Sequence, residues 1–289
     1  MNKDINSLSL QLASAFQSAC MAELEALKPG NVHIFADGHG MHVQDFVRSA
    51  EAAAVFIAKP ELSLGQRIQF AVYASCKEVG CNTNLGIVLL CAPLIHAKLR
   101  GHASNLREDV EQVLRELTVA DAAMAYAAIV RAKPGGLGAS NEHDVHAAPT
   151  VTLLEAMRAA EERDRVAWQY SHGFADIFDF GLPRYAMALQ RWQRPAWAVT
   201  LLYLGFMARH ADSHIVRKYG EEIASKVQEE AAMHEQALLT MENPKTYQRR
   251  LLQFDADLKL RGLNPGTSAD LTVATILAEI LQDATTVGS

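Results

Sequence analysis

The chain has 289 residues, 49% of them hydrophobic, enough to bury a large core without metal or disulfide staples. Its 27 Lys plus Arg against 33 Asp plus Glu leave a formal net charge of −6 with no long single-sign block. That balance argues against a nucleic-acid or membrane-surface partner, both of which rely on clustered Lys and Arg, and no apolar stretch reaches the ~18 uncharged residues of a membrane span.

The first segment, MNKDINSLSLQLASAF, is polar and carries Asp4, so it does not read as a signal peptide. Cys20, Cys76, Cys81 and Cys91 lack the paired spacing of zinc or redox sites and read as reduced, mostly buried thiols, which fits a cytoplasmic protein. From Leu8 through Phe16 to Leu24, apolar residues recur at steps of three and four, the stripe of an amphipathic helix. Similar stripes follow at about 43 to 59, 65 to 80, 85 to 101, 106 to 131, 151 to 180, 184 to 211, 214 to 237, 244 to 260 and 268 to 283. No run shows the alternation of a strand. The expectation is an all-α, single-domain bundle of roughly ten helices, because none of the Pro/Gly breaks is long enough for an interdomain linker. The apolar helix near 196 to 208 fits either core or the interface of a homodimer.

Polar residues gather at four of the breaks. At Lys28-Pro29-Gly30-Asn31-Val32-His33 the Pro and Gly stop a helix, and Lys28 fits either a phosphate contact or a cation offsetting a helix C-terminus. Gly80-Cys81-Asn82-Thr83-Asn84-Leu85-Gly86 precedes an apolar helix; one Asn or Thr serves as N-cap, three exceed that need, and Gly86 permits close approach to the backbone. Arg209-His210-Ala211-Asp212-Ser213-His214 lies between an apolar and a charged helix, with Asp212 or Ser213 a cap or part of a catalytic cluster. In Gly262-Leu263-Asn264-Pro265-Gly266-Thr267-Ser268-Ala269-Asp270, Thr267 or Ser268 reads as the N-cap and Asp270 as a first-turn carboxylate. Free N–H groups there suit a phosphate, and Mg²⁺ shared between carboxylate and phosphate removes the repulsion. His39 with His42, and His143 with His146, are three apart and do not form the HExxH arrangement of a zinc helix.

At these breaks the sequence resembles the triphosphoribosyl-dephospho-coenzyme A synthase family. The KPG-x-V segment is matched by Lys28 to Val32 and the G-x-N-T-H-K-G segment by Gly80 to Gly86, with Asn84-Leu85 in place of His-Lys. The D-T-N motif is echoed by Asp212-Ser213-His214, and N-P-G-x-S-A-D-L is matched in full from Asn264 to Leu271. The family's middle Arg-Gly-Glu segment is replaced by Ser140-Asn141-Glu142-His143-Asp144-Val145-His146. The resemblance covers about residues 20 to 280.

The resemblance implies an all-α enzyme that takes ATP as pentosyl donor, the 2'-hydroxyl of dephospho-CoA attacking the ribose anomeric carbon while adenine leaves. Such a step needs a base for the hydroxyl and a clamp on the triphosphate. On this reading Asp212 and Asp270 bind Mg²⁺ or, with His214, carry the proton transfer; Lys28 and Arg209 contact phosphate; Asn82, Thr83 and Asn264 orient the substrate, and Gly30, Asn84, Gly86, Gly266 and Ser268 complete the nucleotide-binding set. A different hydroxyl acceptor from one-carbon pterin or furan coenzyme biosynthesis, and a non-catalytic nucleotide-binding helical protein, are the rival readings. A plain hydrolase is disfavoured because no GxSxG-type nucleophile motif occurs.

Overall fold

The computed structural model describes residues 2–101, 105–138 and 142–283. Over these residues the fold is all-α, with fourteen α-helices, a π-helical segment at Asp176–Gly181, a 3-10 turn at Pro244–Tyr247, and no strand beyond two isolated bridges near residues 33–41.

The expected number of about ten falls short because four stripes each hold two α-helices. The stripe at 106 to 131 divides into α5 (Leu106–Arg115) and α6 (Val119–Ala132) at Thr118, whose hydroxyl caps the second helix in a reciprocal pair with Asp121. That at 151 to 180 holds α7 (Leu153–Ala160), α8 (Arg165–Ser171) and the π segment, with Thr152 and Asp164 as caps. That at 184 to 211 divides into α9 (Leu182–Trp192) and α10 (Pro195–Arg209), where Gln193 turns left-handed and Pro195 starts the next helix. The stripe at 214 to 237 breaks at Gly220, giving α11 (Ser213–Tyr219) and α12 (Glu221–Thr240). Polar caps inside a continuous apolar period are easy to overlook when the period is the signal being followed. The remaining helices are α1 (Asn2–Glu25), α2 (Val43–Ile57), α3 (Leu64–Val79), α4 (Leu85–Arg100), α13 (Gln248–Leu260) and α14 (Gly266–Asp283).

Three helices form the centre. α4, α10 and α14 are apolar on nearly every face, as helices surrounded by protein must be, and α14 packs against α1, α4 and α10. α10 belongs to the core of the single chain, with Val199, Leu202, Tyr203 and Leu204 fully buried, so it is not a surface held ready for a dimer. Pro93 inside α4 has no N–H to bond the Leu89 carbonyl; the Tyr170 hydroxyl donates to that carbonyl instead, at 2.6 Å. Thr272 and Thr275 in α14 donate their hydroxyls to carbonyls one turn back, so these two buried hydroxyls are satisfied within the helix. No helix among the described residues is long and apolar enough to cross a membrane. Cys76 and Cys91 are buried, Cys20 is half-buried and Cys81 is exposed, all as free thiols.

Candidate active site

The four polar breaks meet where α4 and α14 begin. The Lys28 to His33 loop is held from three sides: the Tyr203 hydroxyl donates to the Pro29 carbonyl (2.8 Å), the Gly30 N–H donates to Asp255 Oδ1 (2.9 Å), and Asn31 Nδ2 donates to Asn264 Oδ1 (2.8 Å). Gly30 has φ +81°, and a Cβ there would stand 2.9 Å from both Leu258 Cδ1 and Pro265 Cδ. The residue is therefore required by backbone conformation and by space together. Lys28 is 1% exposed and pairs with Glu23 inside the protein, with Asn31 at 3.4 Å from its ammonium. Burial pushes Glu23 up and Lys28 down, and each charge opposes the shift of the other. Lys28 is thus an internal counter-charge, while Glu23 and Asn31 line the cavity described below.

In the second break, Asn82 Oδ1 accepts from the Leu85 N–H (3.2 Å), the Thr83 hydroxyl meets Ser49 Oγ (2.5 Å), and Asn84 Nδ2 donates to Ser75 Oγ (2.9 Å). These contacts dock the start of α4 on α2 and α3. Gly86 has another purpose: a Cβ on it would lie 1.9 Å from Asp270 Oδ2. The bare backbone of α4 makes the space that the Asp270 carboxylate fills.

The Asp212-Ser213-His214 segment divides its side chains among three tasks. Asp212 Oδ1 accepts from the His214 N–H (2.9 Å), and Oδ2 accepts from both the N–H and the hydroxyl of Ser268 (2.8 Å each). One buried carboxylate therefore caps α11 and α14 at once. The expectation that Thr267 or Ser268 caps α14 is corrected: the helix already runs from Gly266, and its free N–H at Ser268 is satisfied from α11. Ser213 Oγ accepts from the Arg165 N–H (2.8 Å) and anchors α8. His214 faces the cavity, and Gly266 gives it room, since a Cβ there would be 2.7 Å from His214 Nδ1. Burial, with Lys218 and Arg217 adding to it, lowers the imidazole to about 4 and keeps it neutral near pH 7. Arg209 lies elsewhere, its guanidinium 4.4 Å over the Phe180 ring, because the cation at the end of α10 turns toward the aromatic side of the core.

These breaks enclose a cavity of about 460 Å³ with two unlike ends. At the polar end stand Asn82, Arg163, His214, Arg217, Asn264 and Asp270. At the apolar end Leu89, Tyr126, Ile129, Leu153 and Met157 form the wall. Asp270 lines the cavity without a hydrogen-bond or ion-pair partner among the described residues, whereas Asp212 is not part of the lining. Burial raises Asp270 well above the usual carboxylate range, with the charges of Asp212, Glu23 and Asp164 adding to it and Arg217 opposing it.

Arg163 and Arg217 are absent from the sequence-derived set. Arg217 stands three residues beyond His214, on the same face of α11, so helical spacing from the Asp212 segment carries the signal. It donates to Asp164 Oδ2 at 2.5 Å. The glycine-rich turn after α6 rests on this helix: a Cβ at Gly136, where φ is +75°, would meet the Arg217 carbonyl at 2.7 Å. Of the divergent middle segment, His143, Asp144 and Val145 line the cavity, while Ser140 and Asn141 lie outside the described residues.

No cluster of three or more His, Cys, Asp or Glu side chains placed to hold a metal occurs among the described residues. The paired His39–His42 and His143–His146 do not form one. Asp270 nevertheless fits the demand of a metal brought in with a nucleotide, because Mg²⁺ is held by one or two carboxylates plus substrate phosphates.

A family model described as "CitG: ATP:dephospho-CoA triphosphoribosyl transferase" matches residues 9–287. Among solved structures, the chain is similar to a crystal structure from Archaeoglobus fulgidus described as that of a candidate triphosphoribosyl-dephospho-coA synthase. The two are 23% identical with a TM-score of 0.62, over 81% of this chain and 97% of that chain, a likeness of fold. No curated protein matches the chain.

Proposed function

Because the chain belongs to the ATP:dephospho-CoA triphosphoribosyl transferase family, we propose that this transferase moves the triphosphoribosyl group of ATP onto the 2'-hydroxyl of dephospho-CoA with release of adenine. The observation that carries the reading is Asp270: a carboxylate with no partner among the described residues, in a nucleotide-sized cavity, near the starts of two helices.

The chemistry forms the bond from the acceptor O2' to the ribose anomeric carbon and breaks the bond from that carbon to adenine. The hydroxyl proton goes to the protein, a proton is delivered to the departing base, and the triphosphate stays on the transferred sugar. Positive charge develops on the ribose, as in glycoside cleavage, so an anionic wall near the sugar stabilises it. Arg217 and Arg163 hold the polyphosphate at the polar end, with the N-terminal turn of α14 beside them. Asp270 would hold the Mg²⁺ that accompanies ATP, and the ion would supply neutralisation of phosphate charge. Asn264 and Asn82 fix the ribose by hydrogen bonds.

His214 accepts the hydroxyl proton. Its imidazole is neutral, lines the cavity and is depressed first by burial and then by Lys218 and Arg217. A bound polyphosphate offsets those two cations, so substrate itself raises the basicity of His214 when a base is needed. Asp212 acts through position: it holds α11 against α14 and thereby sets the distance from His214 to Asp270.

One incubation with ATP, Mg²⁺ and dephospho-CoA, analysed by mass, tests this. Free adenine with a dephospho-CoA heavier by one triphosphoribosyl group is the expected result; ADP or phosphate without adenine overturns it. A second reading keeps the pentosyl transfer and replaces the acceptor by a one-carbon pterin or furan coenzyme intermediate. It is favoured by His143, Asp144 and Val145, which line the cavity in the segment that departs from the family pattern. Adenine release with such an acceptor, and none with dephospho-CoA, selects it.

A further inference from the structure

The Tyr126 hydroxyl stands out at the apolar end. Tyr126 lies on α6 with Ile129 one turn further on, and both side chains line the cavity. The residue is 5% exposed, yet its hydroxyl is buried without a hydrogen-bond partner among the described residues. Leaving a buried hydroxyl unpaired is costly; Leu89, Leu153 and Met157, which line the same cavity, carry no group to bond it, and the Asp144 carboxylate, though near, makes no hydrogen bond to it among the described residues. The deficit therefore points to a group that enters the cavity. Burial, and the nearby Asp144, raise the phenol, so it stays protonated and acts as a donor.

The partner must be largely apolar in its faces, to suit Leu89, Ile129 and Met157, and must carry an acceptor atom at its edge. A purine fits: its faces are apolar and its ring nitrogens accept in the plane.

We propose that the apolar end of the cavity holds an adenine ring and that Tyr126 is its specificity-determining residue, donating a hydrogen bond from Oη to one ring nitrogen. The inference rests on the pentosyl-transfer reading for the identity of the base, since both ATP and dephospho-CoA carry adenine. The turn at 133–138 joins this end to Arg217 through Gly136, so base and polyphosphate are gripped by one connected unit.

The test is equilibrium binding of ATP and of dephospho-CoA, each alone, to wild type and to Tyr126→Phe. Each ligand is also supplied as its 1-deaza, 3-deaza and 7-deaza adenine analogue. For the ligand whose base sits at this end, Tyr126→Phe weakens binding by about tenfold, the effect of one hydrogen bond. One deaza analogue weakens wild type by a similar factor and does not weaken the Phe variant further. A loss coupled to ATP assigns the end to the departing base, and a loss coupled to dephospho-CoA assigns it to the acceptor. Unchanged affinity for both ligands overturns the proposal, as does a deaza penalty that is the same in both proteins. The melting temperature of the unliganded Phe variant provides the second readout. It holds or rises if the hydroxyl has no partner in the protein, and a fall of several degrees contradicts the proposal. Because no turnover is measured, absence of adenine release in the activity assay would count against pentosyl transfer while leaving these binding results to stand or fall separately.

Discussion

Asp212 and Asp270 stand near the starts of two helices that touch, and they are used in opposite ways. Around Asp212 every oxygen is occupied: His214 donates to one, and the backbone and side chain of Ser268 donate to the other. Around Asp270 the nearest structural feature is a missing side chain, Gly86, and the carboxylate looks into a cavity rather than at a donor. Burial raises both acids, but only one is compensated by hydrogen bonds. On the proposed function the difference separates a joint from a site: a carboxylate with its acceptors filled fixes geometry, and one without partners among the described residues is free to take a cation.

Gly86→Ala is the strongest way to break this contrast. The new methyl would occupy the position of Asp270 Oδ2, so adenine release is expected to fall below detection, with a loss of roughly 1–3 kcal/mol of stability from overpacking. Adding Asp270→Ala to Gly86→Ala should restore the melting temperature and leave activity absent. Recovery of both would mean that Asp270 is not needed for the reaction.

Asp212→Ala tests the other side. Three hydrogen bonds and two caps are lost, and chemical denaturation should show a drop of about 2–3 kcal/mol. Below the unfolding transition, turnover of this variant should stay within roughly tenfold of wild type, because the residue acts by position. A loss as severe as that from changing Asp270 would erase the distinction. Arg217→Met is smaller in scope: KM for ATP should rise by roughly 10- to 100-fold, with a weaker response to salt and little change in kcat at saturation.

The smallest effects lie in pH dependence. Asp270 keeps its proton to higher pH in the folded protein than in the unfolded chain. Stability is therefore lost as pH rises from about 4 toward the raised value, and Asp270→Asn escapes this loss. The melting temperature of that variant should match wild type near pH 4 and exceed it increasingly above. His214 and His96, both lowered to about 4, act in the opposite direction: the unfolded chain binds their protons first, so stability is gained as pH rises from about 4 to 6.5. Substituting either His by Gln should flatten that rise in thermal scans across the window.

Much of this contrast was legible in the sequence. The all-α class followed from apolar spacing, and the starts of α2, α3 and α4 came within a residue or two because caps and glycines bracket them. The segments rich in Asn, Gly and Asp named the polar end, since helix breaks that carry more polar groups than caps require need another explanation. What stayed hidden depends on direction in space. Lys28 and Arg209 look like phosphate ligands as letters, yet one pairs with Glu23 inside the core and the other stacks on Phe180. Arg217 and Tyr126 sit in ordinary helical contexts and Arg163 in the short turn between α7 and α8, and only tertiary packing turns them to the cavity. That one carboxylate caps two helices also has no local sign, because Asp212 and Ser268 are 56 positions apart.

The most direct test compares adenine release by wild type and Asp270→Asn with ATP, dephospho-CoA and saturating Mg²⁺, melting temperatures being measured on the same samples. A fall of roughly 10²- to 10³-fold in the variant, with a melting temperature equal to or above that of wild type, is the predicted result. Adenine release within a few-fold of wild type by a folded Asp270→Asn protein would contradict it.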